Sequence, residues 1–315
     1  MKDLYPSRIN GYPKIINRKD PIIYNSTAND GPLNQSELDF YEDNGYLFMP
    51  NLFSTDEVQI LQQELRRNMN DNKESQEPHV IKESQGNEIR SVFDVHNNDE
   101  FFHDLSSHER IVSIAQQLLG SQVYINQSRI NFKPGFKGKD FYWHSDFETW
   151  HMEDGMPNMR AVSCSIVLTD NYHYNGPLLL IPGSHKYFVQ CVGDTPDNHY
   201  LESLKMQNFG VPDHDSINWL LEKGGKIDSA VGPAGSVLFF ESNTLHGSNS
   251  NISPLPRSNV FFVFNSIENK LVEPFAGTTP RPEFAANRSN IKPIIPKNFE
   301  MTKKSFMVNK QYYYR

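Results

Sequence analysis

The stretch Phe141–Gly155, FYWHSDFETWHMEDG, gathers two histidines, two tryptophans and four acidic side chains into a run too polar for an ordinary core strand. If Phe141–Asp146 is extended, the period of two along a strand turns His144 and Asp146 to one face. An imidazole and a carboxylate meeting there are two members of a 2-His-1-carboxylate set, which holds Fe(II) and leaves the remaining positions open to substrate and oxygen. Chance alone supplies about one such tripeptide in a chain of this length, and a surface histidine beside a solvated aspartate is its plainer reading. The third ligand must come from elsewhere. His246, in TLHGSNSN, is bracketed by small residues that let the backbone bend close to a metal. Its rival is His185, in a Pro-Gly-Ser turn where a capping or surface role fits. His79 sits in a polar loop and reads as solvated.

One cation could serve an anion beside such a metal. In Arg257–Ser266, RSNVFFVFNS, Arg257 shares a parity with Asn259, Phe261 and Val263, against Ser258, Val260, Phe262 and Phe264. A strand-end arginine commonly snorkels to water; if buried, its planar fork suits a carboxylate such as the far end of a dicarboxylic co-substrate. In Val123–Lys133 one parity carries Gln127, Arg129, Asn131 and Lys133, the other Tyr124, Ile130 and Phe132. A polar parity ordinarily faces water, whereas in a barrel with a buried polar site it lines the cavity.

The elements that must position these groups change character along the chain. Residues 1–35 read as an arm over the domain or a partner subunit. Ser36 is the expected cap of a helix over Glu37–Asn44, stopped by Gly45 and followed by a strand at Tyr46–Met49. Ser54–Glu57 is a capping box before Val58, Leu61 and Leu65. The polar run 70–87 predicts a mobile loop, and the stretch from about His108 to Leu119 a second amphipathic helix ended by Gly120. From Val123 short strands alternate with turn signals, over Ala161–Leu168, Gly176–Ile181 and Ser236–Phe240, with a polar insertion at 190–230 holding one helix near Ser216–Glu222. The expectation is a mainly β protein with flanking helices around a double-stranded β-helix, a jelly-roll or cupin-like core. It is organised as an arm (1–35) and a single domain (36–315), with a helical scaffold to about 120, the jelly-roll core to about 270 and a C-terminal segment over 271–315.

Bulk properties narrow the function. A net charge of −8 over 315 residues offers no basic face for nucleic acid. Neither an apolar leader core at the N-terminus nor a run of about 18 apolar residues occurs, so the expectation is a cytoplasmic protein with no membrane partner. Cys164 and Cys191 are too few for a disulfide framework or a four-thiolate zinc site, which leaves metal binding to histidine and carboxylate.

His144-x-Asp146, His246 and Arg257, with the strand and turn GPLLLIPGSHK, resemble the phytanoyl-CoA dioxygenase superfamily of Fe(II)/2-oxoglutarate oxygenases. FYWHSDFETWHMEDGMP, DLYPSR, HGSNSNISPLPRSNVFFVFNS and PRPEF are similar to its ectoine hydroxylase family across nearly the whole chain. The resemblance implies His144, Asp146 and His246 as iron ligands and catalytic centre, and Lys133 and Arg257 as contacts for 2-oxoglutarate. It implies Gln127, Thr149, Trp150, Phe240, Phe261 and Arg281 as the ectoine pocket, with Phe141, Trp143, Ser163 and Ser165 beside the site or simply packing. It further implies a homodimer that uses O2 to convert ectoine to 5-hydroxyectoine, a compatible solute of osmotic stress, with release of succinate and CO2. A related oxygenase for another small amino-acid-like compound, and a catalytically silent jelly-roll binding protein, are the competing expectations.

Overall fold

The computed structural model describes residues 2–83, 87–196, 198–204 and 209–301. In chain order its strands are β1 (Lys14–Asn17), β2 (Tyr46–Met49), β3 (Val80–Lys82), β4 (Ile89–Phe93), β5 (Val123–Lys133), β6 (Phe141–His144), β7 (Ala161–Val167), β8 (Leu178–Leu180), β9 (Tyr187–Gln190), β10 (Asp228–Ser229), β11 (Val237–Glu241), β12 (His246–Ser248) and β13 (Arg257–Ser266). The helices are α1 (Gln35–Asn44), α2 (Thr55–Asn72), α3 (Val95–Asn98), α4 (Glu100–Ser106), α5 (Glu109–Leu119), α6 (Asp146–Asp154), α7 (Tyr200–Ser203) and α8 (His214–Gly224).

Among the described residues a seven-stranded sheet runs β2-β11-β7-β13-β5-β4-β3, and a four-stranded sheet runs β10-β8-β12-β6. Alternation decides which side of the large sheet each residue serves. Val162, Cys164 and Ile166 of β7, Val237 and Phe239 of β11, and Val260, Phe262 and Phe264 of β13 pack with the apolar stripes of α2 and α5 in the main core. The opposite parity of β11 and β13, Leu238, Phe240 and Phe261, packs with Leu178 and Leu180 of the small sheet. The site lies in this inter-sheet space.

In β5 the face changes partway. Val263 lies opposite Gln127 and Phe264 opposite Ile125, so Asn126 is an extra, bulged residue. Val123 and Ile125 before it and Ile130 and Phe132 after it consequently all reach the main core, although their numbers differ in parity. The bulge corrects one expected grouping: Tyr124 lies on the opposite face from Ile130, with its hydroxyl bonded to Asn265 at 2.9 Å.

Local expectations differ from the fold at several points. Asn34, not Ser36, caps α1: its Oδ1 accepts from the Glu37 N–H at 3.1 Å, and Glu37 returns a bond to the Asn34 N–H. The run 70–87 contains the end of α2 and β3, which pairs with β4, while residues 84–86 lie outside the described set. The stretch before residue 120 therefore contributes three strands to the large sheet as well as helices. Likewise the segment 190–230 holds α7, α8 and β10, and its residues 197 and 205–208 lie outside the description, as do 302–315 of the C-terminal segment. Within residues 2–35, β1 pairs with β9 and Arg18 is buried against Glu241 at 2.9 Å, so this segment lies over the domain. Both cysteines are buried free thiols.

Candidate metal centre and cavity

His144 ends β6 and His246 begins β12, and these residues are direct cross-strand partners in the small sheet. Asp146 follows after one intervening residue, Ser145, as the first residue of α6. The convergence of His144 and Asp146 thus comes from a strand-to-helix corner, not from the shared strand parity expected. The two Nε2 atoms lie 3.6 and 3.9 Å from Asp146 Oδ1, and one ligand atom from each residue falls within 4.8 Å of the others. Each imidazole commits its other nitrogen: His144 Nδ1 donates to the Tyr142 carbonyl at 2.7 Å and His246 Nδ1 to the Thr244 carbonyl at 2.9 Å. This turns both Nε2 lone pairs inward, the arrangement that metal-binding histidines use to fix tautomer and ring angle. Ser163 Oγ approaches Asp146 Oδ2 at 3.4 Å.

Burial raises the Asp146 carboxyl, but His246, His144 and Arg129 outweigh it and hold the group well below the usual carboxylate range. Burial and then His144 lower His246 to about 4, so its imidazole is neutral at physiological pH. A carboxylate and a neutral imidazole are ligand forms that suit a divalent cation. His185, the rival, is fully buried elsewhere, its Nε2 donating to the Glu42 carbonyl at 3.1 Å.

The cavity over this cluster is lined by both sheets and α6. Arg257 and Lys133 are cross-strand neighbours on β13 and β5. Lys133 Nζ donates to Ser248 Oγ at 2.8 Å and the Asn249 carbonyl at 2.6 Å. Burial, then Arg257 and Arg90, push its pKa well below the ordinary lysine value. Arg257 is buried, and its Nε has no hydrogen-bond partner among the described residues; burial lowers it to about 10. A guanidinium in this state demands an anion.

Trp150 and Thr149 reach the cavity from α6, and Trp150 also packs with Tyr5, Phe147 and Phe188. Gln127 and Phe261 line it too, with the Gln127 amide donating to the Ala285 carbonyl at 2.6 Å. Arg281 lines the cavity while giving Nε and Nη2 to Asp154 at 2.8 and 2.5 Å. Phe240 stands behind the lining, its ring 4.8 Å from His246 and 6.5 Å from Phe261. Phe141 is in the wall, Trp143 packs in a separate cluster, and Ser165 accepts from Asn259 at 2.9 Å.

Among the cavity residues to which the sequence assigned no role are Arg129, Arg90 and Leu204. Arg129 stacks 4.7 Å over Phe261 and donates to Gln127 Oε1. Its place on the polar parity of β5 was a usable signal. Arg90, paired with Glu83 at 3.2 Å, comes from β4, and Leu204 from the end of α7, neither of which carried any signal.

The phytanoyl-CoA dioxygenase (PhyH) family profile matches residues 41–259. An ectoine dioxygenase of Stutzerimonas stutzeri is 51% identical over 93% of this chain and 96% of its own, and one from Halomonas elongata 48% identical over 91% and 86%. The crystal structure of EctD from S. alaskensis with 2-oxoglutarate and 5-hydroxyectoine superposes with a TM-score of 0.86 at 39% identity, covering 96% of this chain and all of that one. The carbocyclase SnoK, at 19% identity and a TM-score of 0.61 over 87% of this chain and 96% of its own, shares the fold.

Proposed function

The chain belongs to the phytanoyl-CoA dioxygenase family, in its ectoine dioxygenase branch, and from that premise we propose that it hydroxylates ectoine to 5-hydroxyectoine. Fe(II), 2-oxoglutarate and O2 are the partners of this reaction, and succinate and CO2 its other products. The observation that carries the reading is the convergence of His144, Asp146 and His246 beside a buried Arg257 whose Nε has no partner among the described residues. On this reading the two Nε2 atoms and the Asp146 carboxylate hold the iron, and Arg257 and Lys133 take the far carboxylate of 2-oxoglutarate. Iron with its keto acid supplies the oxidising power that exchanges a C–H bond for C–OH, one oxygen atom going to substrate and one to succinate.

The substrate's amidinium suits the Trp150 face, a contact worth about 0.5–2 kcal/mol according to desolvation. Its carboxylate suits Arg281 and Arg129, and Gln127, Thr149, Phe240 and Phe261 complete the surroundings. The reading extends to a cytoplasmic homodimer that answers osmotic stress, for which the support is the family resemblance.

The test is direct: purified protein, Fe(II), ascorbate, 2-oxoglutarate, oxygen and ectoine are combined and the products weighed by mass spectrometry. One added oxygen on ectoine, matched by succinate, is expected. Succinate without oxygenated ectoine overturns the substrate; neither product, with iron bound, overturns the enzyme.

A further inference from the structure

Helix α6 is buried along all nine of its residues, yet it carries four carboxylates. Asp146 faces the metal site; Glu148, Glu153 and Asp154 do not belong to the metal cluster. Each of the three meets an arginine from a distant part of the chain. Arg8 gives Nε and Nη2 to Glu148 at 3.1 and 3.0 Å, and the same Nη2 lies 2.7 Å from Glu153. Arg281 holds Asp154 and stands 4.0 Å from Glu153. Ser7 adds a bond to Glu148 at 2.7 Å, and Arg8 Nη1 reaches Thr195 at 2.7 Å. Arg8 adopts φ 53°, sparsely populated for a residue with a side chain, so surrounding contacts hold it there.

Glu148 and Glu153 are five residues apart, about 7.5 Å along the axis. The Arg8 guanidinium spans the turn between them, which bears Thr149 and Trp150. Glu153 is shared between Arg8, which is not among the cavity-lining residues, and Arg281, which is. Without Arg8, two buried carboxylates lose their counter-charge, and Arg281 is the neighbouring cation left to answer them.

We propose that Arg8 is a positioning residue for the substrate wall: it neutralises Glu148 and Glu153 from behind, so that Arg281 stays on Asp154 at the cavity wall instead of being drawn to Glu153, and it steadies the turn that presents Trp150. This rests on the reading that ectoine is the substrate. The charge of Arg257, on β13, is not part of this network, so 2-oxoglutarate binding is independent of it.

Titration calorimetry of iron-loaded protein under anaerobic conditions, with ectoine and with 2-oxoglutarate, reads the difference. Arg8→Gln is expected to weaken ectoine about tenfold and to leave 2-oxoglutarate within about twofold. Adding Glu153→Gln restores the charge balance and most of the ectoine affinity. Should Arg8→Gln fail to fold, Arg8→Lys keeps the charge without the fork, and ectoine weakened about threefold with 2-oxoglutarate unmoved is the expected result. Equal losses for both ligands, or none, overturn the positioning role while the function stands. A wild-type protein that binds 2-oxoglutarate but not ectoine overturns the substrate and this role together.

Discussion

At the scale of single residues, the cavity holds cations in different electrostatic states. Arg281 is answered by Asp154, Lys133 is tied to Ser248 and Asn249, and Arg257 is buried with an unsatisfied Nε. A buried guanidinium lacking its counter-ion gains most from an incoming carboxylate, through two parallel charge-assisted hydrogen bonds. Arg257→Lys keeps the charge and loses the fork, so the KM for 2-oxoglutarate is expected to rise about tenfold or more while that for ectoine changes little. Steady-state kinetics with each substrate varied in turn checks this; an unchanged KM for 2-oxoglutarate in the folded variant removes Arg257 from the role. The expected pattern is the reverse of that for Arg8, so the two variants together divide the cavity into a co-substrate end and a substrate end.

Among the elements, α6 explains why the polar run at 146–154 is buried at all. Glu148, Glu153 and Asp154 are matched by arginines from residues 8 and 281, and His151 stacks with Phe147 and with Phe275, its Nε2 3.0 Å from Asp3. Gly155 ends the helix at φ 75°, where its N–H bonds the His151 carbonyl and the next N–H, of Met156, bonds that of Trp150. A Cβ here would meet the Val272 carbonyl oxygen at 2.0 Å. Gly155→Ala combines left-handed strain with a backbone clash, and a loss of more than about 1 kcal/mol is expected in chemical denaturation. Because the Trp150 carbonyl is held by that turn, ectoine affinity should fall with stability. A variant as stable as the parent would show that the 272 segment moves aside freely.

For the molecule as a whole, several buried histidines are held neutral. Burial, then Arg18, lowers His185 to about 3; burial, then Arg110, lowers His108 to about 4; burial, then His103, lowers His96 to about 4. In the unfolded chain each takes up its proton near pH 6.5, whereas the folded state resists it. Their contribution is complete above about pH 6.5 and is lost as pH falls through the window down to 3–4, because acid then favours the unfolded, protonated side. For His185 alone the loss by pH 5 is on the order of 2 kcal/mol. The melting temperature should therefore drop between pH 7 and pH 5, and His185→Gln, though less stable at pH 7, should show a shallower drop. Parallel pH profiles of the two proteins would exclude His185 from the effect.

What could be read from the chain by itself was whatever depends on neighbours in sequence: the capping box at Ser54, the stops at Gly45 and Gly120, and the β13 alternation that separates Arg257 and Phe261 from Phe262 and Phe264. Periods of 3.6 and 2 are local, and family resemblance over motifs of ten or more residues carries the jelly roll and the iron chemistry with them. Tertiary structure decided the rest, because it depends on which distant segments meet. The corner that makes Asp146 a helix residue, the Asn126 bulge that resets β5, and the pairing of Lys133 with Arg257 have no local signature. The same holds for Arg8, which in the sequence is one charge in a polar opening segment, and which burial beside Glu148 and Glu153 turns into a support of the substrate wall. A charge acquires such weight only where water has been excluded around it, and that exclusion is a property of the assembled fold.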